Sequence, residues 1–501
     1  MSGAASGASG RTPADAFLAR ARAHPDATAL VGRDGETSYG ELLALAGAER
    51  RHVAALGLPP GEPVAVEAVK TPATLALLLA CQLERRPVLL TAQSLGADVR
   101  AALHEQAAVR HVLEPGAADG AAGTVRTGVA EAPDGTPLLL LTTSGSTGTP
   151  KIVPLTADAI TAFTRWAAGH FGIGPGTTVL NHAPLNFDLC LLDVWTTLAH
   201  GGRIVLVDPD RAAHGRYLLD QVVRHRPGIV QAVPMFYRLL ADAADRDGTT
   251  LPGVRHAVFT GDSMPVPLLG RLPALLPGAR LSNLYGCTET NDSFLHEVVD
   301  LTVPAPLGRP LPGVHALLVT PDGRVLDGPG SGELYVSTPF QSPGYLDARA
   351  RGAAFVPDPR GATDGRRFFR SGDLVHRDAD GRHTLLGRTD FQVKVRGVRV
   401  NPQEVEHVLL AHPGVAEAAV LARPDPVAGH LLHAVVRRTG GSGLDSLVLR
   451  GHLARGLSRA AVPATVRITD EPLPRTSTGK VDRERVPVAA PVPTHRPSKE
   501  S

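Results

Sequence analysis

Three cysteines in 501 residues, Cys81, Cys190 and Cys287, are too few and too widely spaced for a disulfide framework or a cysteine metal site. Such usage fits a reducing, cytoplasmic setting. An excess of charge of one sign is also lacking. The formal net charge is +2, so nothing points to nucleic acid or an anionic membrane surface as a partner. Long hydrophobic runs are absent: LALLLAC (75–81) is far short of the roughly 20 residues that span a bilayer. The opening MSGAASGASGRTPADAF has no apolar core of a signal peptide. Aromatic residues make up 4% and lysine is scarce beside arginine, whereas glycine (53) and proline (43) abound. With 43% hydrophobic and 20% charged residues, this bias still leaves a soluble globular enzyme with a core. The length allows about two to four domains of roughly 100–200 residues.

Residues 1–11 are small and polar and read as a loose tail. Thr12-Pro13 reads as an N-cap followed by proline at the first helical position, opening a helix through Phe17 and Leu18. Six apolar runs, PVAVEAV, PVLLTA, PLLLLTT, RIVLVD, GIVQAV and HAVFTG, read as buried strands. Stretches such as 210–227 carry apolar residues at helical spacing between them. The alternation predicts α/β layers with largely parallel sheets. After about residue 300, GRVLDGPGSGELYV and RDADGRHTLLG read as hairpins with Asp-Gly turns, hence a β-rich subdomain. Beyond Arg388, short strands flank an amphipathic helix whose apolar face is Val405, Val408 and Leu409. These features predict a core domain over 12–388, a boundary near 387–390, a small α+β domain over 389–486 and a disordered tail over 487–501. No repeat of solenoid or propeller period is present.

The stretch TTSGSTGTPK (142–151) looks like a phosphate cradle, because small residues let backbone N–H groups approach an anion and lysine adds charge. It does not fit G-x-x-x-x-G-K-[ST]: Gly145 and Gly148 are too close, Lys151 follows Pro150, and no hydroxyl follows the lysine. Alone, such a stretch also fits a plain linker.

Five further stretches accompany it: NLYGCTET (283–290), GELYV (332–336), FRSGDL (369–374), GRTDFQVKVRGVRVNPQEVE (387–406) and LPRTSTGKVDR (473–483). In this order and spacing the set resembles the adenylate-forming superfamily: acyl- and aryl-CoA ligases, luciferases and the adenylation domains of nonribosomal peptide synthesis. The resemblance runs from about Phe17 to Arg485. It implies a large N-terminal domain of layered mixed sheets with a β-rich subdomain, and a small mobile α+β C-terminal domain. It also implies that a carboxylate attacks the α-phosphate of ATP and expels pyrophosphate. Both reactants are anionic, so the site must neutralise charge and fix geometry.

Carried onto this sequence, the resemblance makes Thr143, Ser144, Gly145, Ser146, Thr147, Gly148 and Lys151 a mobile loop on the ATP phosphates. Tyr285 stacks on adenine, Asn283 meets its edge, and Gly286 belongs to the same ATP-binding segment. Thr288 contacts the α-phosphate, and Glu289 holds Mg²⁺. Asp373 accepts the ribose hydroxyls, and Arg388 binds ribose or phosphate. Lys480 is the catalytic lysine, with Thr288 and Glu289 as its partners in catalysis. Asp390 is a hinge, and Gly397 lines the approach of the attacking thiol. ATP and Mg²⁺ are the implied cofactors, with no tightly bound organic cofactor. Cys287 stands where proline is usual, and nothing marks it as reactive.

NFDLCLLDVW (186–195) bears on the acid activated. Amino-acid-activating members carry an Asp after Phe here, paired with the substrate ammonium, and Asp188 matches; a helix cap is the structural alternative. The resemblance places Leu189, Leu192, Gln231, Val258, Thr260, Gly261, Leu284, Asp292 and Ser293 around the same pocket. Leu189, Leu192, Gln231 and Leu284 resemble pockets for small amino acids, and Thr260, larger than the glycine common there, should shorten the pocket, so alanine, serine or glycine is expected. Asp292 and Ser293 depart from that pattern; they either meet a polar group, as in serine or a diamino acid, or merely cap the pocket.

GLDSL (443–447) resembles a phosphopantetheine attachment site, but it lies inside the stretch the C-terminal domain needs. The 21 residues after Lys480 are too few for a carrier domain. A freestanding enzyme is therefore expected, one that loads the phosphopantetheine thiol of a separate carrier protein. Arg396 and Arg399 are candidates for contact with it. The rival readings are a CoA ligase for a small carboxylic acid, a non-catalytic scaffold and a Walker-type ATPase. His182 and His200 lack metal spacing and read as structural.

Overall fold

The computed structural model describes residues 12–93, 95–116, 135–143, 150–389, 393–395, 398–425, 429–457, 461–476 and 479–487. The chain divides into two compact units. One comprises Met1–Asp262, Arg271–Asp300 and Ala305–Leu385; the other comprises Ser263–Gly270, Leu301–Pro304 and Leu386–Ser501.

In the first unit the opening helix is Pro13–Ala23. Thr12 and Asp15 form a reciprocal capping box, which satisfies the first free N–H groups. Ala14, Phe17 and Ala21 put its apolar face into the core. All six apolar runs fall on strands. Helix Gly215–His225 lies within the segment of helical spacing and is preceded by a 3₁₀ turn, Pro209–Arg211.

The largest sheet has nine strands. Their spatial order is Arg309–Pro310, Asn291–Glu297, Arg280–Cys287, His256–Thr260, Ile229–Ala232, Thr178–Asn181, Arg203–Leu206, Thr28–Gly32 and Gly35–Ser38. The run from Arg280–Cys287 to Thr28–Gly32 is parallel, and antiparallel strands close both edges. A second sheet, His111–Leu113, Val64–Glu67, Val88–Thr91, Pro137–Thr143 and Lys151–Thr156, is parallel except for its last strand. The expectation of largely parallel sheets thus holds for the interiors and fails at the edges, where hairpins add strands without needing a crossover.

A third sheet carries strands His315–Val319, Gly330–Ser337, Arg367–Arg377 and Phe355–Pro357, all antiparallel. Here one expectation is corrected. The first hairpin turns at Asp322-Gly323, where the Gly323 N–H reaches the Thr320 carbonyl at 2.8 Å and Gly323 has φ +84°. Asp327-Gly328 lies in the connection, and Val325 adds only an isolated bridge to Val319. The second hairpin turns through 378–382 as expected, with the Asp378 N–H on the Arg382 carbonyl at 3.0 Å.

In the second unit strands Val398–Val400, Val393–Val395, Gly429–Arg438 and Val415–Asp425 are antiparallel, and Thr465–Thr469 joins Gly429–Arg438 in parallel. Helices Pro402–Leu410 and Ser446–Gly456 cover this sheet. Val405, Leu409, Leu449 and Leu453 meet Leu432 and Val436 in one core, and Val408 packs at its margin. Asp445 of the GLDSL stretch caps the second helix, accepting the Val448 N–H at 2.8 Å. No helix among the described residues is long and apolar enough to cross a membrane.

Candidate active site

Parallel strands present their carboxyl ends to ligands, and in the nine-stranded sheet these ends carry the predicted residues. Asn181 is the register partner of Gln231, and Gln231 of Val258; Thr260 is the partner of Leu284. Next to Leu284 stands Tyr285, whose side chain leaves the strand on the opposite face. Leu284 enters the large core with Leu192 and Val258. Tyr285 packs in a separate cluster, edge-on to Phe294 with centroids 5.8 Å apart.

The Tyr285 hydroxyl donates to the Asp373 carboxylate. Asp373 is held in turn by its own N–H on the Ser371 hydroxyl at 3.0 Å. Burial, with the neighbouring Asp373 and Cys287, pushes the Tyr285 phenol well above its ordinary value, so it stays a donor. Asn283 spends its amide on the Pro306 carbonyl at 2.7 Å. Gly286 has a packing reason of its own: a Cβ there would overlap the Asn291 carbonyl, beside the register shift between Tyr285 and Gly286.

Glu289 is buried, and its Oε1 accepts the Tyr345 hydroxyl at 2.5 Å. Lys151 lies over the Tyr345 ring, 5.0 Å from its centroid. One tyrosine thus touches the two charged residues that the motifs placed on ATP, and no motif singled it out. Thr143 and Lys151 are register partners across the hairpin of strands Pro137–Thr143 and Lys151–Thr156. Ser144, Gly145, Ser146, Thr147 and Gly148 lie outside the described residues, as do Asp390, Arg396 and Gly397. Thr288 is half-buried. Burial and the Glu289 carboxylate push the Cys287 thiol well up, which keeps it protonated and inert.

Asp188 and Leu189 are half-buried at the start of a turn that leads into a π-helix, Leu191–Thr196. Leu192, Val258, Leu284 and Thr260 are buried; Gly261 has φ +80°, a conformation that favours glycine. Asp292 is half-buried, and burial reinforced by the Asp188 carboxylate pushes its pKa up to about 8. The Ser293 hydroxyl is engaged by Thr290 Oγ1 at 3.1 Å and the Asn291 carbonyl at 3.2 Å. Gln231 Nε2 is occupied by the Leu189 carbonyl at 2.9 Å and Asp193 Oδ1 at 3.3 Å.

Behind the pocket lies a polar network that the sequence did not announce. Asn181 donates to Asp193 Oδ2 at 3.2 Å and to the Ala183 carbonyl at 3.2 Å. Lys70 donates to the carbonyls of Asn181 (3.2 Å) and His182 (2.7 Å). Burial brings Lys70 down to about 8 and raises Asp193 well above its ordinary value. Burial and Lys70 also hold His182 down at about 4, so its ring is neutral. Among the described residues no group of three His, Cys, Asp or Glu side chains could hold a metal ion.

Arg388 and Lys480 belong to the second unit. The Arg388 carbonyl accepts the Asn401 amide at 2.7 Å. Lys480 is exposed in a turn in which its carbonyl accepts the Thr476 N–H at 2.9 Å. That turn is pinned on both sides: Arg475 pairs with Glu417 at 3.2 Å, and Arg483 pairs with Glu406. Both carboxylates are buried, so the anchoring is firmer than that of surface pairs.

Residues 92–346 match the AMP-binding enzyme family, and residues 404–480 match the AMP-binding enzyme C-terminal domain. The chain is 37% identical over 360 residues to an L-proline–(L-prolyl-carrier protein) ligase of Streptomyces coelicolor, covering 70% of this chain and 66% of that protein. It is 35% identical over 348 residues to a ligase of the same name from Pseudomonas fluorescens, covering 69% and 67%. Among solved structures it is similar to Klebsiella oxytoca NpsA in complex with 3-hydroxyanthranilyl-AMSN, with a TM-score of 0.81 and 23% identity over 95% of this chain and 98% of that one. At that identity the likeness is one of fold. Neither ligase is matched over much more than two thirds of its length.

Proposed function

Because the chain belongs to the AMP-binding enzyme family, we propose that it activates an amino acid as its adenylate and loads it onto the phosphopantetheine thiol of a carrier protein. The observation that carries this reading is one strand-end cluster. Within one stretch of chain, Tyr285 meets Asp373, Glu289 meets Tyr345 beside Lys151, and Asp292 stands within electrostatic reach of Asp188. In this reading Tyr285 and Asn283 hold adenine and Asp373 holds the ribose. Lys151, with Thr143 and the loop 144–148, holds the phosphates, and Thr288 faces the α-phosphate. Arg388 joins the ribose or phosphate contacts. Lys480 stabilises the charge that develops as the carboxylate attacks. Asp390 is the hinge, and Gly397 lines the thiol path.

Glu289 is a single carboxylate with one oxygen taken by Tyr345. That fits Mg²⁺, which binds through one or two carboxylates plus substrate phosphates. The ion supplies neutralisation of phosphate charge. Asp188 pairs with the substrate ammonium, a charge-assisted contact in a half-buried setting.

The substrate proposed is compact. Leu189, Leu192, Gln231 and Leu284 are similar to the residues of small-amino-acid pockets, and Thr260, larger than the glycine common at its position, would shorten the pocket. Alanine, serine and glycine are the first candidates, joined by proline on the names of the two ligases. The test is amino-acid-dependent pyrophosphate release with ATP and Mg²⁺ across the twenty amino acids and simple aryl and fatty acids. A signal with compact amino acids supports the reading. A signal only with non-amino acids would overturn it in favour of a ligase for a small carboxylic acid.

A further inference from the structure

Gln231 sits where a side chain that selects the substrate is expected, yet both N–H groups of its amide have acceptors within the protein. It is 1% exposed and lies mid-strand, beside Asn181 in the sheet register. Its Nε2 bridges the Leu189 carbonyl and the Asp193 carboxylate. Leu189 directly follows Asp188, and the Asp188 carbonyl accepts the Leu191 N–H at 2.8 Å.

The local backbone needs this support. In the turn that enters the π-helix, the Leu189 carbonyl receives only long bonds from its own segment, Leu192 N at 3.2 Å and Asp193 N at 3.3 Å. The widened helix that follows is closed by side chains: Thr196 Oγ1 donates to the Leu191 carbonyl at 2.7 Å and Thr197 Oγ1 to that of Leu192 at 3.4 Å. π-Helical turns satisfy their backbone poorly and persist where a surrounding structure enforces them, often at functional sites.

The enforcement is continuous. Lys70, just after strand Val64–Glu67 of the second sheet, grips the main chain at Asn181 and His182 at the end of a strand of the first. The Asn181 side chain donates to Asp193; the Gln231 amide donates both to Asp193 and to the Leu189 carbonyl. The chain of contacts crosses from one sheet to the other and stops one residue from Asp188.

We propose that Gln231 and Asp193 are positioning residues that fix the Asp188 turn, and that Gln231 does not read the substrate side chain. This rests on the reading of Asp188 as the ammonium partner. A carboxylate held in place before substrate arrives needs no reorganisation on binding, and small displacements of such groups are costly.

The experiment compares Gln231→Leu and Asp193→Asn in pyrophosphate exchange with each accepted amino acid. Gln231→Leu is expected to raise KM for all of them by a common factor of about ten or more, with KM for ATP within about twofold. In an Asp188→Asn background the same change should add less than about twofold, because a group that acts through Asp188 has nothing left to position. A reordered preference among amino acids, or an undiminished effect in that background, overturns the proposal. Should Gln231→Leu fail to fold, Asp193→Asn keeps the volume and polarity and gives the same reading. If the wild type activates no amino acid, the proposed function falls and the inference is read separately, by hydrogen exchange of the 186–196 segment. Faster exchange in the variants supports it, and unchanged exchange overturns it.

Discussion

The Tyr285 hydroxyl donates to the Asp373 carboxylate, tying strand Arg280–Cys287 of the nine-stranded sheet to strand Arg367–Arg377 of the antiparallel one. The ring that would stack on adenine and the carboxylate that would hold ribose are therefore set relative to each other before any nucleotide binds. Asp373→Ala is expected to raise KM for ATP by about ten- to a hundredfold, the range of a hydrogen bond to a charged group. Tyr285→Phe keeps the ring and should cost less than about tenfold. An ATP titration of pyrophosphate exchange decides; equal values for wild type and Asp373→Ala would remove Asp373 from the site.

Tyr345 joins Glu289 through its hydroxyl and Lys151 through its ring. Tyr345→Phe separates the two, since only the hydroxyl is lost. The Mg²⁺ concentration for half-maximal exchange should rise by about tenfold or more, the worth of one hydrogen bond to a charged group. Tyr345→Leu removes the ring as well and should also weaken ATP. A Mg²⁺ titration with unchanged midpoint in Tyr345→Phe would show that Glu289 needs no help from this hydroxyl.

Asp292 gives a pH signature. Its carboxyl is held at about 8, far above the roughly 3.9 of an unfolded chain, by burial first and by Asp188 second. Between these values the folded protein keeps a proton that the unfolded chain has released. The contribution to stability is therefore complete below about pH 4 and is lost as pH rises through 8. Asp292→Asn should flatten the decline in melting temperature between about pH 4 and 8 and should be the more stable protein at the alkaline end. Parallel slopes for the two proteins would place the Asp292 carboxyl in the ordinary range.

Lys480 is exposed on a turn pinned by Arg475 and Arg483 to buried carboxylates. Lys480→Ala should lower adenylate formation by about 10²–10³-fold, the scale of removing a donor aimed at developing charge. Transfer of a supplied aminoacyl-adenylate to the carrier thiol should be largely intact. Equal loss of both half-reactions would contradict the assigned role.

What the sequence made legible was local. The Thr12 cap with Pro13 after it, the six apolar strands and the Val405–Leu409 helix face depend on residues close in sequence and on periodic burial. The first hairpin was misplaced because two Asp-Gly pairs lie five residues apart, at 322–323 and 327–328, and turn chemistry fits both. The polar network was out of reach for another reason. Lys70 and Asn181 are 111 residues apart and make their bond through a backbone carbonyl, which leaves no mark on residue type. Tyr345 is similar, 56 residues from Glu289. For Gly286 the residue was noticed, but its close approach to Asn291 appears only once the strands are paired.

Leu284 and Tyr285 have a practical bearing on any attempt to breed a new substrate preference into this scaffold. Adjacent on one strand, they serve opposite faces, one in the large core and the other beside Phe294. On the proposed reading, a library that varies Leu284 to admit a bulkier acid alters packing on one face of a strand whose other face carries Tyr285, so the proposed adenine site would shift with it. Winners selected for the acid alone will tend to arrive with impaired nucleotide affinity, and compensating changes should be sought around Phe294 and Leu334, on the far side of the sheet from the pocket being redesigned.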